Sequence, residues 1–507
     1  MIFSRLTPAT LGVALAMAPA AQADITAQDV WRDWQAYFVG LGQTLEATEV
    51  DEGDALVLTD LTFSSTNPGN DGETVIRLGQ ITFQETDDGS VDILVPEVMS
   101  ATIETLLPEA EPVVMRFDLR LQDMAANVTG VPTEMVTTYS AREITAELAD
   151  PTIEGDAEPM DIDGLFTLTD LSGTTETTVG GTRSYVQDLD AGAMLYNLEI
   201  DDPDSDGRMS IAGTLNTLAS DSRSTVPLAV VGAEGMADLL DAGMNVDGSF
   251  TYQDGSTAFS LVDGNDGTQQ MSAQTSTEGG TLGVSMAEDG LTYDIAGQGL
   301  AAVLSLPDFP VPITLDMEEA RFNLTMPVRQ SETAEEVALG LTLDAFTLSD
   351  ALWALFDPQG TLPRDPGTIA LDLTGTARLL LDILDPTAAE AMAVPGATVA
   401  EIETLDINTL EIALAGAALT GTGAFTFDNS DPTAPARPSG AADLMLKGGN
   451  ALLDGLVAIG LLPEDNAIGA RMMMGMLAVP GDAPDTLNSR IEVTEEGHII
   501  ANGQRIR

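Results

Sequence analysis

Few residue constellations in this chain could do chemistry, and the sharpest of them is acidic. Asp201-Asp202-Pro203-Asp204-Ser205-Asp206-Gly207 sets carboxylates at Asp202, Asp204 and Asp206, with a glycine directly after. Alternate positions ahead of a glycine can curl three oxygens toward one centre, as in the first half of a calcium loop. The bidentate acid that such loops carry at the twelfth position is replaced by Gly213. Two readings stand side by side: a weak Ca²⁺ site on Asp202, Asp204 and Asp206, and a solvated turn in a chain where acids are plentiful. No other cofactor is expected.

Catalytic chemistry is limited by what is missing. There is no cysteine, one histidine (His498) and one lysine (Lys447), so the usual triads and His-ligated metal sites lack members. Gly421-Thr422-Gly423 lacks the third glycine of a dinucleotide fingerprint and leads into a strand pattern. Paired carboxylates could hide among 81 acids, but aromatics, the usual platforms for sugar rings, make up only 5% of the chain. The expectation is a protein that is not an enzyme, with no catalytic residues. A methionine run, Met472, Met473, Met474 and Met476, lies near Leu452, Leu453 and Leu456. Methionine lines apolar sites adaptably, yet at helical spacing it more often packs onto a neighbouring element, and packing onto a sheet is expected.

The elements that must position these residues follow from patterning. Residues 1–23 have the form of a signal peptide: Arg5, a short apolar core Leu11–Met17, and Ala21-Gln22-Ala23 ahead of Asp24. That core is too short to cross a bilayer, so no integral span is expected once it is removed, and the compartment implied is the periplasm. The net charge is −62, which repels nucleic-acid phosphates and bare anionic headgroups. Such self-repulsion should make the fold more stable as monovalent salt screens it.

Thr26 and Asp29 resemble a capping box, and Val30, Trp31, Trp34, Tyr37, Phe38 and Leu41 then share a helical face that would cap the open end of a sheet. Beyond it the period becomes two, as in Val113, Met115, Phe117, Leu119 and Leu121. Turn signals punctuate the runs at Asp87-Asp88-Gly89, Asp254-Gly255, Asp289-Gly290 and Glu496-Gly497. Helices are expected over Ser349–Phe356, Asn450–Leu461 and Asp465–Leu477. The fold class is mainly β (α+β): long curved antiparallel sheets with an N-terminal helix and a few short helices, densest near the C-terminus. A soft boundary near residues 330–336 divides an N-terminal region, 24–332, from a C-terminal one, 333–507.

Phe346-Thr347-Leu348-Ser349-Asp350-Ala351-Leu352-Trp353, then Phe356-Asp357-Pro358 and Leu362–Pro366, with the closing Glu496–Gly503, resemble an uncharacterised family of exported bacterial proteins known as a domain of unknown function. The resemblance covers most of the chain after residue 23, is clearest from about residue 340, and implies no activity or site residues. More distantly, strand runs ending in a strand–helix module are similar to AsmA-type envelope proteins, a resemblance that implies a long β groove handling lipids. The functional expectation is a non-enzymatic periplasmic envelope protein holding a lipid, another apolar ligand or an envelope protein on one-sided apolar strands. Its alternatives are a structural or interaction protein whose apolar faces close on each other, and a weak calcium binder.

Overall fold

The computed structural model describes residues 24–507 apart from 42, 68–71, 107–111, 154–160, 203–204, 206, 229–235, 264–267, 385–387, 389–397 and 432–434. Residues 1–23, expected from the sequence to be a signal peptide, therefore lie outside the described residues. The fold is mainly β, with 64% strand and 12% helix, and every strand pairing is antiparallel, as one-sided alternation favours.

The strands form one ladder, about 100 Å long at the usual interstrand spacing. β1 (Thr44–Asp51) is one edge and pairs with β2 (Ala55–Asn67). The two halves of β2 take separate partners, β3 (Gly72–Leu78) and β4 (Ile81–Glu85). β5 (Val91–Leu94) adds to β4 and β6 (Val98–Leu106) to β3; β7 (Val113–Gln122) and β8 (Ala125–Val131) then extend the two halves. β9 (Glu134–Ile153) rejoins them, followed by β10 (Asp161–Val179), β11 (Arg183–Asp201) and β12 (Arg208–Val226).

β12 splits the ladder again, onto β13 (Asn245–Tyr252) and β14 (Asp254–Val262). β15 (Gln269–Thr277) and β16 (Gly279–Ala287) extend these, and β17 (Gly290–Ser305) unites them. β18 (Ile313–Met326), β19 (Glu335–Leu348), β20 (Gly367–Leu379), β21 (Ala400–Leu414), β22 (Ala417–Asp428) and β23 (Arg437–Lys447) follow in order. β24 (Val479–Pro480) and β25 (Thr486–Val493) pair with each other, and β25 with β23. β26 (Ile499–Ala501) and the edge β27 (Gln504–Arg505) complete the sheet. Residues 327–334, where the sequence suggests a soft boundary, join two adjacent strands of this ladder.

A repeated irregularity folds the ladder into a trough. Side chains alternate faces with period two, so an apolar set cannot pass from even to odd positions without changing face. β10 nevertheless runs Phe166, Leu168, Leu171; β12 runs Ile211, Leu215, Leu218; β19 runs Leu341, Leu343, Phe346, Leu348. One extra residue keeps each set on its face: Asp170, Thr217 and Ala345, all at φ 50°. Neighbouring strands carry the insertion at the same level, so Thr169 pairs with Ala193 on one side of the kink and Ser172 with Asp190 on the other. An inserted residue bends its strand, and stacked insertions make a crease.

The direction of the fold is set by burial. Ala141, Leu171, Ala191 and Leu218 follow the crease and are buried together, flanked by Leu168 and Leu215 from one wall and Tyr139 and Leu189 from the other. Arg142, Asp170 and Thr217 are exposed. The sheet thus closes toward its apolar side.

Helices cover parts of that side. α1 (Ala27–Gly40) has the expected capping box: Asp29 N–H donates to Thr26 Oγ1 (3.2 Å), and Asp29 Oδ2 accepts from Thr26 N (3.2 Å). It buries Val30 and Trp31 over Leu56, Leu58, Phe83 and Val128, with Phe38 edge-on to Phe63 and Trp34 edge-on to Phe83. α2 (Met236–Asp241) buries Leu239 and Leu240 against Val328. α3 (Asp350–Phe356), capped by Ser349 Oγ accepting from Leu352 N (3.3 Å), packs Trp353 near Leu452 and Leu456 of α4 (Gly449–Ala458). α5 (Glu464–Leu477) follows Pro463.

One turn expectation fails. Asp254-Gly255 is no hairpin: β13 and β14 both pair with β12, not with each other. Gly255 is needed for close approach, because a Cβ there would stand 2.7 Å from Leu215 Cδ2. The other three signals are turns, with Gly89 and Gly497 at φ 82° and 80° and Gly290 closing β16 onto β17.

Candidate functional site: an uncovered apolar stripe

Between the helix-covered ends, no helix among the described residues covers the apolar side of the sheet. Directly opposed residues on successive strands form one row, Leu282, Ile295, Phe322, Leu341, Leu371 and Leu410, running from β16 to β21. A second row, two positions along each strand and three on β21, where the register shifts, is Val284, Tyr293, Leu324, Leu339, Leu373 and Ile407. Each row runs about 24 Å, the width of six strands.

These side chains are not a dry core. Ile295, Phe322, Leu341 and Leu339 are 36–43% exposed, and the other members of both rows are half-buried. Contiguous exposed apolar surface of a few hundred Å² is about as large as a monomer ordinarily shows, and patches of that size are often functional. The reverse side of the same strands is polar: Arg321 reaches Asp294 across β17 and β18, and Arg378 is ion-paired with Glu401. Apolar faces closing on each other as a sandwich would have buried Phe322 and Leu341. They are open.

Residues 245–495 match the family model of an uncharacterised protein conserved in bacteria, DUF2125. That stretch is a domain of this family. The DUF2125 segment runs from β13 to β25 and holds both apolar rows, α3, α4 and α5. No curated protein and no solved structure matches the chain.

Outside the DUF2125 segment, the trough end under α1 is held partly by charge. Asp33 of α1 is ion-paired with Arg183 of β11, their side chains only 12% and 11% exposed. Tyr37 lies edge-on to Tyr185 at 5.0 Å. Burial pushes the Tyr185 hydroxyl up to about 12, with the Arg183 charge opposing and Tyr37 adding to the shift.

The acidic loop joins β11 to β12. Asp202 Oδ2 accepts from Ser205 Oγ (2.6 Å), and Asp202 N–H donates to the Gly207 carbonyl (2.9 Å). Asp204 and Asp206 lie outside the described residues. Among the described residues, no group of three His, Asp or Glu side chains is placed to hold a metal ion. A depression of 710 Å³ between β10 and β17 is lined by uncharged residues such as Thr167, Leu195, Asn197 and Gln274.

Asp357 of the DUF2125 segment is fully buried and caps the loop after α3. Its Oδ1 and Oδ2 accept from Thr361 N and Leu362 N, both at 2.9 Å. Burial pushes its carboxyl up, but those backbone bonds, the Thr361 hydroxyl and the Arg364 charge together hold it below the usual carboxylate value.

The methionine run differs from expectation. Met474 is half-buried, but Met472, Met473 and Met476 stand in solvent, because α5 turns Ala467 inward and no described element covers its bulkier face. The period-two alternation expected from Val113–Leu121 also runs through β17–β19, which the sequence reading did not single out. The signal was there, as a change of parity at Gly299 and Ala345.

Proposed function

We propose that this chain is a non-enzymatic envelope protein of the periplasm, and that its apolar trough holds the acyl chains of a lipid. The observation that carries the reading is the pair of apolar rows across β16–β21, partly exposed in a chain of net charge −62. Covering a few hundred Å² of apolar surface at roughly 25 cal/mol per Å² offers on the order of 5–10 kcal/mol before ordering costs. A long, narrow, uncharged strip suits a hydrocarbon chain better than a compact polar ligand. The periplasmic part rests on the form of residues 1–23, and the non-enzymatic part on the scarcity of His, Lys and Cys. The resemblance to AsmA-type proteins points the same way. No helix among the described residues is long and apolar enough to cross a membrane.

The test is organic extraction and mass spectrometry of protein purified from its native compartment, beside Phe322→Asn/Leu341→Asn. Near-stoichiometric acyl lipid on the wild type, lost from the variant, is the expected result. No lipid, under conditions that retain it on a known carrier, overturns the proposal. So does retention of a polypeptide in its place.

A further inference from the structure

Helix α5 is apolar on its inner side, through Ala467, Ala470 and Met474, and carries a second, bulkier apolar face outward. Ala467 is fully buried on the inner side, while Ile468, Met472, Met473 and Met476 are 49–68% exposed. Spacing of four aligns Ile468, Met472 and Met476 along one line of the helix. A Cβ added at Gly469 or Gly475 would meet nothing within 4 Å, so the face is open along its length. Exposed acids lie at its start: Glu464 and Asp465 in the first turn. The helix's one cation, Arg471, is engaged by Asp454 (2.5 Å) and Asn450 (3.3 Å).

We infer that this face of α5 docks a basic amphipathic helix of another polypeptide. Methionine is unbranched and polarizable, and it moulds to varied apolar partners, which is why binding surfaces for amphipathic helices use it. Charge selects the occupant. A second copy of this chain or an anionic bilayer would meet a net charge of −62 and be repelled, whereas lysines and arginines flanking an apolar stripe would meet the acids. The inference does not depend on the lipid reading, since the two apolar rows lie on β16–β21 and this face lies on α5.

The probe is a synthetic leucine–lysine helix as long as α5, followed by fluorescence anisotropy in about 0.5 M salt, where diffuse attraction is screened. A peptide of the same composition, scrambled so that its leucines do not align, is the control. The expected result is binding about tenfold tighter for the aligned peptide, lost in Met472→Ser/Met476→Ser with unchanged circular dichroism. Equal affinity for both peptides would mean general acidity and overturn the inference. Unchanged affinity in the variant would do the same, as would a preference for phosphatidylglycerol vesicles over the peptide.

Discussion

Under α1 and across β16–β21, the same period-two alternation produces the same kind of apolar face, yet one face is core and the other is surface. Trp31 is 1% exposed over Phe83 and Leu58; Phe322 and Leu341 are more than a third exposed on strands of similar composition. The residue types do not explain the difference. α1 brings two tryptophans and an ion pair onto its end of the trough, whereas the described helices α3 and α4 pack with Leu348 and Ala415 at the end of β19 and the β21–β22 turn. Alternation thus specifies that a face will be apolar, and a separate element decides whether it becomes interior.

Substitutions can break that comparison. Trp31→Ala should cost about 3–5 kcal/mol in denaturant unfolding, as large-to-small changes in packed cores do. Leu341→Asn should stay within about 0.5 kcal/mol of wild type, the range for surface positions. Comparable losses at both positions would make the stripe a core and end the distinction. Arg183→Ala should cost about 3 kcal/mol, because it leaves the Asp33 carboxylate buried without its partner. Replacing both residues with leucine should recover most of that loss; failure to recover would place the cost elsewhere than in the stranded charge.

A pH experiment sharpens the picture at the α3 cover. Because the Asp357 carboxyl is held below its usual value in the folded state, the unfolded chain takes up the proton first as pH falls. Its contribution is therefore whole above the unfolded value, about 4, and is lost as pH falls through the folded one. The melting-temperature gap between wild type and Asp357→Asn should be open at neutral pH and narrow in acid. A gap that is constant with pH would mean that the loop does not depend on the ionised carboxylate. A stabilising effect is expected at the crease beside the stripe. Ala345 holds φ 50°, where an L side chain is strained and glycine is not, so Ala345→Gly should stabilise by about 1 kcal/mol. A loss there would mean that the kink is not a site of backbone strain.

Local chemistry was legible wherever a short stretch contained all of its own determinants. The capping box at Thr26, the helix that begins at Ser349, and the closing hairpin through Glu496-Gly497 each need only neighbours in the chain. Asp254-Gly255 misled because a glycine serves equally for a left-handed turn and for close packing. Only Leu215, forty residues earlier, decides which. The methionines of α5 misled for a related reason: helical spacing groups them on one side but cannot say whether that side meets the sheet.

The sequence by itself determined an antiparallel, mainly β chain with one apolar side, an N-terminal helix and a very acidic surface, because periodicity and charge are properties of the residues. It also contained the crease, as parity changes at Asp170, Thr217 and Ala345. Only the tertiary structure decided that these insertions stack strand after strand, that the sheet folds toward its apolar side, and which rows α1, α3 and α4 leave bare. Register between strands far apart in sequence sets those outcomes. A period of two fixes which face a side chain takes and leaves its cross-strand neighbour unspecified.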